Sequence, residues 1–266
     1  MLATDPDADR CAAAVRENGA FRLLTGNETG TLLLDFICSQ RSRHGRMPAR
    51  PVIVKTIVTT PLADRIAAHY GAETVSVLTG FKYIGEVIGR MEREGRTDDF
   101  LFGLEESCGY LSGPYVRDKD GVCAARMIAE MFAYYRARGT SLTDRLREIH
   151  AEYGHSRQAL LSFPFNGAAG ERVMRETMLL FKGSVASLGG KRVVRVRDYA
   201  KGEDGLPPAD VVRLFLEDGS EVTLRPSGTE PKLKAYLSTA AATEEEALYA
   251  EKKIAAELEE RIGKMM

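Results

Sequence analysis

The sequence predicts an α/β fold, in which a three-layer α/β domain with a mostly parallel sheet is followed by an α+β domain with an antiparallel sheet. From Asn27 to about Gly154, segments of helical period alternate with short apolar runs rich in β-branched residues. Buried strands that alternate with helices indicate a parallel sheet covered on both faces. From His155 onward, strand patterns surround an Asp218-Gly219 turn, which is a strong signal for an antiparallel hairpin.

The first segment, residues 1–24, predicts only a small hairpin. Two apolar runs, 12–16 and 21–24, flank an Asn18-Gly19 turn. Because an isolated two-stranded hairpin is rarely stable in water, this segment is expected to pack against the next domain or to belong to a larger one.

The second segment, residues 25–153, alternates helix and strand, and the third, residues 154–266, does not. A chain of 266 residues is long enough for more than one domain. The predicted elements of the second segment are helix 29–39, strand 51–58, helix 62–70, strand 74–78, helix 83–94, strand 100–102, helix 121–137 and helix 142–153. Those of the third are strand 159–165, helix 170–181, strand 192–199, a hairpin region 211–237 and helix 243–262.

Composition excludes several classes of protein. The 37 basic and 38 acidic residues give a net charge of −1, so nothing suggests a nucleic-acid or membrane surface. No apolar run approaches the roughly 20 residues that span a bilayer. The four cysteines have neither CxxC nor zinc-ligand spacing, which predicts reduced thiols and a cytoplasmic protein.

A compact anion-binding loop is predicted between two strands of the third segment. Arg225-Pro226-Ser227-Gly228-Thr229-Glu230-Pro231-Lys232 offers a guanidinium fork, two hydroxyls and backbone amides opened by a glycine. A phosphate dianion is bound well by such donors. The alternative is a simple Pro-Ser-Gly turn.

Polar residues also follow the predicted parallel strands. Thr79-Gly80-Phe81-Lys82 and Gly103-Leu104-Glu105-Glu106-Ser107 come directly after two of them, and ligands bind at the carboxyl ends of such strands. Glu105 and Ser107, two positions apart in an extended loop, would present a carboxylate and a hydroxyl on the same side. Together they could grip neighbouring hydroxyls of a sugar. The alternative for this pair is a helix N-cap.

Alternating acidic residues near the amino terminus predict a cation site. Asp5, Asp7 and Asp9 can converge on one hard cation such as Mg²⁺. An EF-hand is excluded because Arg10 and Arg16 stand where it needs Gly and Glu. A solvated acidic turn is the alternative.

These motifs occur in the order seen in one family. Asp5 to Arg10, Gly103 to Ser107, Arg117 to Gly121 and the Arg225 loop together resemble the α-D-phosphohexomutases, the phosphoglucomutase/phosphomannomutase family. Gly80 to Gly85 and Leu216 to Gly219 resemble its phosphoglucomutase/phosphopentomutase branch. The resemblance implies four domains, of which residues 1–24 match a remnant of the second with its metal loop. No Ser-His-Asn stretch resembling the family's phosphoserine loop is present.

The resemblance implies roles for residues near the reacting phosphoryl group. Asp5, Asp7 and Asp9 would bind Mg²⁺ together with the phosphoserine, so the cation should be weakly held without that ligand. Arg10 would lie beside the transferring phosphoryl. Lys82 would act near proton transfer, although a solvated lysine at a helix start is the alternative.

It also implies roles in substrate binding. Thr79 and Gly80 belong to the loop that recognises the sugar in its two orientations, and Glu105 and Ser107 to the sugar-hydroxyl loop. Lys119 is the phosphate contact of a basic pair whose other member, Arg117, would alternatively pair with Asp118 or Asp120. The distal phosphate would be held by Arg225, Ser227, Gly228 and Thr229.

The function implied is a phosphosugar mutase that moves a phosphate between positions 1 and 6 of a hexose, or 1 and 5 of a pentose. The reaction passes through phosphoserine and a bisphosphate, and a sugar bisphosphate serves as activator. This chain, without the nucleophilic serine, is expected to be inactive alone and to need amino-terminal domains. The alternatives are a non-catalytic phosphosugar-binding module and a truncated product with no activity of its own. A nucleotide-binding protein is disfavoured because no P-loop or Gly-x-Gly-x-x-Gly follows the first strand.

Overall fold

The computed structural model of the protein describes residues 1–165, 167–183, 185–228 and 230–266. It divides into two compact units, Met1–Tyr153 and Gly154–Met266, and each has its own sheet and core. In the described part of the chain, no helix is long and apolar enough to cross a membrane.

A three-stranded antiparallel sheet opens the first unit. Its strands, in the spatial order β1-β2-β3, are β1 (Leu2–Thr4), β2 (Cys11–Glu17) and β3 (Ala20–Leu23). The β2–β3 hairpin confirms the pattern around Asn18-Gly19. Alternate residues of β2, Cys11 and Ala13, are buried in the core of the first unit, so this sheet packs on the rest of that unit.

The main sheet of the first unit confirms the mostly parallel arrangement. It has four strands in the order β5-β4-β6-β7, and only β7 is antiparallel to its neighbour. The sheet places the carboxyl ends of β4, β5 and β6 along one edge. The strands are β4 (Val52–Thr56), β5 (Glu73–Val77), β6 (Phe100–Glu105) and β7 (Gly109–Leu111).

Helices cover both faces of this sheet. On β4, Ile53 belongs to one apolar cluster, whereas Val52 and Val54 belong to another, as expected for alternating side chains. Helices α1, α2, α4 and α5 contribute to the first cluster and α3 to the second. The helices are α1 (Gly26–Arg43), α2 (Leu62–His69), α3 (Phe81–Arg93), α4 (Gly121–Arg136) and α5 (Leu142–Tyr153).

Helix α1 begins earlier than its apolar period suggests. Thr25 caps its amino terminus by accepting from the amide of Glu28, and the Glu28 carboxylate accepts from the amide of Thr25. This reciprocal capping box satisfies two amides that have no partner within the helix, so the helix can start at Gly26.

The second unit has a six-stranded sheet that is antiparallel throughout, in the order β8-β13-β12-β11-β10-β9. This confirms the α+β pattern of the carboxy-terminal part. The strands are β8 (His155–Pro164), β9 (Ser187–Leu188), β10 (Lys191–Asp198), β11 (Val212–Leu216), β12 (Glu221–Pro226) and β13 (Lys232–Ala241), and the helices are α6 (Gly167–Gly183) and α7 (Glu244–Gly263).

The two faces of this sheet differ in chemistry. On β12, Val222 and Leu224 are completely buried in a cluster that includes residues of α6 and α7. Because side chains alternate along a strand, Glu221, Thr223 and Arg225 point to the opposite face. The strand therefore brings the Arg225 side chain to the face away from the helices, at the end of β12 where the Ser227 loop begins.

Candidate functional site

The three aspartates of the amino-terminal loop lie together. Asp5, Asp7 and Asp9, between β1 and β2, each offer a carboxylate oxygen, and these oxygens lie within 4.8 Å of one another. The backbone amide of Arg10 donates to Asp5 Oδ1 at 3.0 Å. This hydrogen bond holds the pKa of the Asp5 carboxyl below its ordinary value. Oxygen ligands this close, with at least one kept ionised, fit a hard cation such as Mg²⁺.

A lysine from far along the sequence joins this loop. Lys119 Nζ lies 2.5 Å from Asp9 Oδ2 and 3.3 Å from Asp118 Oδ1. Burial lowers the pKa of Lys119, but the hydrogen bonds to the two aspartates outweigh it, so its pKa lies above the ordinary value. Lys119 therefore stays a cation beside the acidic loop, where it could contact an anion held there.

Glu105 and Ser107 come together through a turn rather than through the extended loop that the sequence suggested. Glu105 is the last residue of β6, and residues 106–108 form the turn into β7. The Ser107 hydroxyl donates to Glu105 Oε1 at 3.0 Å. The extended-loop prediction was wrong because the backbone pairing of Glu105 with Gly109 closes a tight hairpin. The two side chains nevertheless lie together, as the sequence predicted.

Backbone pairing brings the Glu105–Ser107 turn beside the aspartate loop. Arg10 and Gly109 form an antiparallel bridge, and the amide of Cys11 donates to the carbonyl of Cys108 at 3.0 Å. A Cβ at Gly109 would lie 2.7 Å from Glu105 Oε1 and 2.8 Å from Lys119 Cδ. Because side chains pack this tightly around Gly109, no larger residue fits there without displacing them.

The start of helix α4 fixes the aspartate loop from another side. The amide of Gly121 donates to the carbonyl of Ala8 at 3.1 Å. A Cβ at Gly121 would lie 2.6 Å from that same oxygen and 2.7 Å from the carbonyl oxygen of Arg10. Gly121 ends the Arg117–Gly121 motif, but its contact with the aspartate loop was not predicted from the sequence. Its local pattern indicates only that it follows Asp120, the N-cap of α4.

Other predicted residues of the first unit show fewer contacts. The Arg10 guanidinium is half exposed, 3.9 Å from Asp5 and 3.8 Å from Asp9. Lys82 is exposed in the first turn of α3, and its ammonium lies 4.8 Å from the ring centre of Tyr83. Among the described residues, no hydrogen bond or ion pair joins Lys82 to the aspartate loop or to Glu105.

Thr79 and Gly80 lie between β5 and α3. Gly80 has φ of 123° and precedes the helix directly, a conformation that favours glycine. The Thr79 hydroxyl oxygen is buried, and within residues 1–165, 167–183, 185–228 and 230–266 it has no hydrogen-bond partner. Most buried side-chain hydroxyls in proteins have a hydrogen-bond partner, so the Thr79 hydroxyl is an exception.

Arg117 pairs differently from either sequence alternative. Its guanidinium lies 2.6 Å from Glu92 Oε2 of α3 and donates to the carbonyl of Pro114. Pairing with Asp118 or Asp120 was wrong, because the chain before α4 returns towards α3. Close packing enforces this return, since a Cβ at Gly85 would lie 2.3 Å from the carbonyl oxygen of Arg117.

The loop that is predicted to bind an anion lies in the second unit. Arg225 is opposite Lys234 of β13 and is partly exposed. The Ser227 amide donates to the carbonyl of Lys232 at 2.8 Å, which closes the loop, and Gly228 is exposed at its tip. Thr229, also expected to bind phosphate, lies outside the described residues. Arg225, Ser227 and Gly228 thus lie at one end of the sheet, with cationic side chains on adjacent strands.

Comparison with known families decides the assignment. The model for the α/β/α domain III of phosphoglucomutase/phosphomannomutase matches residues 25–153, and the model for the C-terminal domain of the same family matches residues 181–260. The chain belongs to the phosphoglucomutase/phosphomannomutase family. The resemblance carried by the sequence motifs is therefore confirmed.

Curated members of the phosphoglucomutase/phosphomannomutase family match most of this chain. A phosphoglucomutase from Staphylococcus haemolyticus is 35% identical over 251 residues, which cover 90% of this chain and 44% of that protein. A phosphoglucomutase from Staphylococcus epidermidis is 33% identical with the same coverage. The chain thus spans less than half the length of these curated relatives.

Solved structures of the family share its fold. The Paramecium phosphoglucomutase pp63/parafusin in an open form has 19% identity and a TM-score of 0.69, and the match covers 99% of this chain and 45% of that one. N-acetylphosphoglucosamine mutase from Aspergillus fumigatus, in complex with GlcNAc-6P and magnesium, has 16% identity and a TM-score of 0.54, covering 97% and 51%. Both matches extend over the two units of this chain.

Proposed function

We propose that the chain supplies the sugar-binding and distal phosphate-binding parts of a phosphosugar mutase. The reaction would move a phosphate reversibly between positions 1 and 6 of a hexose, or positions 1 and 5 of a pentose. One observation carries the proposal: the aspartate loop, Lys119 and the Glu105–Ser107 turn converge at one place in the first unit. A sugar phosphate substrate requires groups that bind a cation, a phosphate and sugar hydroxyls, and these three segments offer them.

In this proposal, three segments carry the function: a metal loop within residues 1–24, a sugar-binding part in residues 25–153 and a phosphate-binding part in residues 154–266. The carboxylates of Asp5, Asp7 and Asp9 would hold Mg²⁺, which neutralises phosphate charge when bound. Arg10 lies near two of these carboxylates and would stabilise charge on a phosphoryl group placed there.

Substrate binding is proposed for the remaining residues. The Glu105 carboxylate accepts from a sugar hydroxyl, and Ser107 can donate or accept. Lys119 contacts phosphate, and Thr79 and Gly80 line the sugar-binding site. Lys82 assists proton transfer. Arg225, Ser227, Gly228 and Thr229 hold the phosphate that does not react. Binding this remote group supplies energy that positions the reacting end of the substrate.

A serine in amino-terminal domains is proposed to carry the transferred phosphoryl: as phosphoserine it donates the group to the sugar monophosphate, and as free serine it accepts the other phosphate of the resulting bisphosphate. A sugar bisphosphate serves as activator. The partner molecules are therefore a sugar phosphate and those domains, in the cytoplasm, with no role for nucleic acid or membrane. The magnesium and GlcNAc-6P bound to the Aspergillus fumigatus relative support the choice of cation and substrate class.

Glu105→Gln tests the sugar-binding role. The amide keeps the shape but weakens acceptance from a sugar hydroxyl, because a hydrogen bond to a charged group is worth about 1.5–3 kcal/mol. The dissociation constant for glucose 6-phosphate, measured by calorimetry, is expected to rise roughly 10-fold or more, and that for inorganic phosphate to stay unchanged. Glu130→Gln, an exposed change on α4, is the matched control. A similar loss of affinity for glucose 6-phosphate and for inorganic phosphate would assign Glu105 a structural role instead.

Turnover by the purified 266-residue chain tests the need for a separate nucleophile. Its sequence has no stretch resembling the phosphoserine loop, so the transferred phosphoryl has no acceptor. We expect no conversion of glucose 1-phosphate with Mg²⁺ and glucose 1,6-bisphosphate present, and conversion once the amino-terminal domains of a relative are added. Conversion by the chain alone that disappears in Asp7→Asn would show that it contains its own nucleophile.

A further inference from the structure

A buried polar cluster lies behind the Glu105–Ser107 turn. Its members, which end β4 and form the loop after it, are each 2% exposed or less. Lys55 pairs in register with Leu104 of β6, so the cluster adjoins the strand that carries Glu105. Buried polar groups cost free energy unless they are hydrogen bonded, which makes their partners informative. The members are Lys55, Thr56, Thr59 and Thr60.

Lys55 folds the loop after β4 back onto the end of that strand. Its ammonium donates to the carbonyls of Thr59 and Thr60 at 3.1 and 3.2 Å. The same nitrogen lies 2.8 Å from Asp64 Oδ2 in helix α2. One buried cation thus connects a strand, a loop and a helix, and it places the Thr59 side chain beside Thr56.

Thr56 connects this cluster to the sugar-hydroxyl turn. Its hydroxyl oxygen lies 2.8 Å from the hydroxyl oxygen of Thr59 and donates to Glu106 Oε2 at 3.2 Å. Because the Thr56 hydroxyl has one proton, donation to Glu106 leaves Thr59 as the donor between the two threonines. Glu106 stands between Glu105 and Ser107, so a contact with its side chain restrains both neighbours.

The backbone of the same turn is held from a second side by helix α1. A Cβ at Gly26 would lie 2.0 Å from the carbonyl oxygen of Glu106, and Tyr110 donates its hydroxyl proton to the carbonyl of Gly26 at 2.8 Å. The amide of Thr60 donates to Asn27 Oδ1 at 3.0 Å, so the cluster also holds the start of α1. The turn is fixed between β4 and α1.

We propose that Thr56 is a positioning residue for substrate. Through Glu106 it sets the placement of the Glu105 carboxylate and the Ser107 hydroxyl for the ring hydroxyls of a sugar phosphate. This inference rests on the proposed function of the Glu105–Ser107 turn and assigns its specificity to a residue that contacts no substrate.

Thr56→Val is the test, because valine keeps the shape of threonine and removes the hydroxyl. In NMR spectra of this chain, the backbone amide chemical shifts of Glu106 and Ser107 are expected to change. The amide hydrogens of the same two residues are expected to exchange with solvent faster. The dissociation constant for glucose 6-phosphate is expected to rise about five- to tenfold, and that for inorganic phosphate to stay within twofold. Thr56→Ser, which keeps the hydroxyl, should restore both readouts.

Thr74→Val makes the same change on the neighbouring strand β5, at a hydroxyl that bonds to no residue in the described ranges. It should leave the turn signals and both affinities unchanged. If Thr56→Val folds poorly, Thr59→Val removes the donor that orients the Thr56 hydroxyl towards Glu106 Oε2, and it should weaken glucose 6-phosphate binding in the same direction by a smaller factor.

The outcomes separate the two proposals. Wild-type protein that binds glucose 6-phosphate no more tightly than inorganic phosphate would contradict the proposed function, and the role of Thr56 with it. Wild-type preference for the sugar phosphate that survives unchanged in Thr56→Val and Thr59→Val would contradict the positioning role alone. If Thr56→Val lost affinity for both ligands equally and had a lower melting temperature, the cluster would have a structural role only.

Discussion

Replacing Arg145 with methionine is expected to lower the free energy of unfolding by about 3–5 kcal/mol, because it leaves a buried charge without its partner. Asp35 in α1 is completely buried, and the Arg145 guanidinium of α5 donates to both of its carboxylate oxygens at 3.0 Å. Tyr70 and Tyr135 donate weaker hydrogen bonds at 3.3 Å. Both tyrosines remain in the variant, but neither supplies charge.

The effect of Arg145→Met should depend on pH. Burial raises the pKa of the Asp35 carboxyl above its ordinary value of 3.8, and the charge of Arg145 opposes that rise. The folded state therefore binds a proton more readily than the unfolded state does, so Asp35 favours folding more as pH falls through its raised pKa. Without Arg145 this pKa rises further. The destabilisation should therefore be larger at pH 7 than at pH 5.

Urea unfolding at the two pH values measures this difference. Arg147→Met is the matched control on the same helix, because its side chain is 61% exposed and surface ion pairs contribute about 0–1 kcal/mol. Adding Asp35→Leu to Arg145→Met removes the unpaired charge and should recover part of the loss. Equal destabilisation by Arg145→Met and Arg147→Met would contradict a dominant role for the buried pair.

The fold could be predicted where a segment is long enough to show a period. Helix α5 begins and ends where its apolar period does, at Leu142 and Tyr153. Strands of two or three residues, β1, β7 and β9, carry no period and were missed. The predicted strand 100–102 ended just before Gly103, whereas β6 continues to Glu105. Gly103 interrupts the apolar pattern for a packing reason, since a Cβ there would lie 2.9 Å from Ile84 Cγ2.

For the candidate site, the sequence predicted which segments matter but not how they meet. Asp9 and Lys119 were singled out separately, and nothing in their local patterns indicated that they lie 2.5 Å apart. Their pairing depends on the bridge between Arg10 and Gly109, a tertiary contact. The Thr56 hydroxyl was missed because a threonine in a β-branched run is typical of any strand. Its partner Glu106 becomes visible only when β4 and β6 lie side by side.

Arg225→Ala is expected to remove most of the affinity of the second unit for phosphate. A charge-assisted, bidentate contact from a guanidinium is worth about 1.5–3 kcal/mol, which corresponds to roughly 10- to 150-fold in the dissociation constant. Among the described residues, Arg225 has no acidic partner, so its guanidinium is available to an anion. Lys234, opposite it on β13, adds a second positive charge that remains in the variant.

Calorimetric titration of this chain with inorganic phosphate and with glucose 6-phosphate measures the loss of affinity. The loss should be similar for both ligands, because Arg225 is proposed to hold the phosphate and not the sugar. This pattern is the opposite of that expected for Glu105→Gln, where only the sugar phosphate is affected. Arg195→Ala is the matched control, because Arg195 belongs to the same sheet but packs 4.0 Å from the ring centre of Phe215 on β11. If Arg225→Ala and Arg195→Ala both bind phosphate as the wild type does, the anion site must lie elsewhere, and the Lys119 region of the first unit becomes the place to look for it.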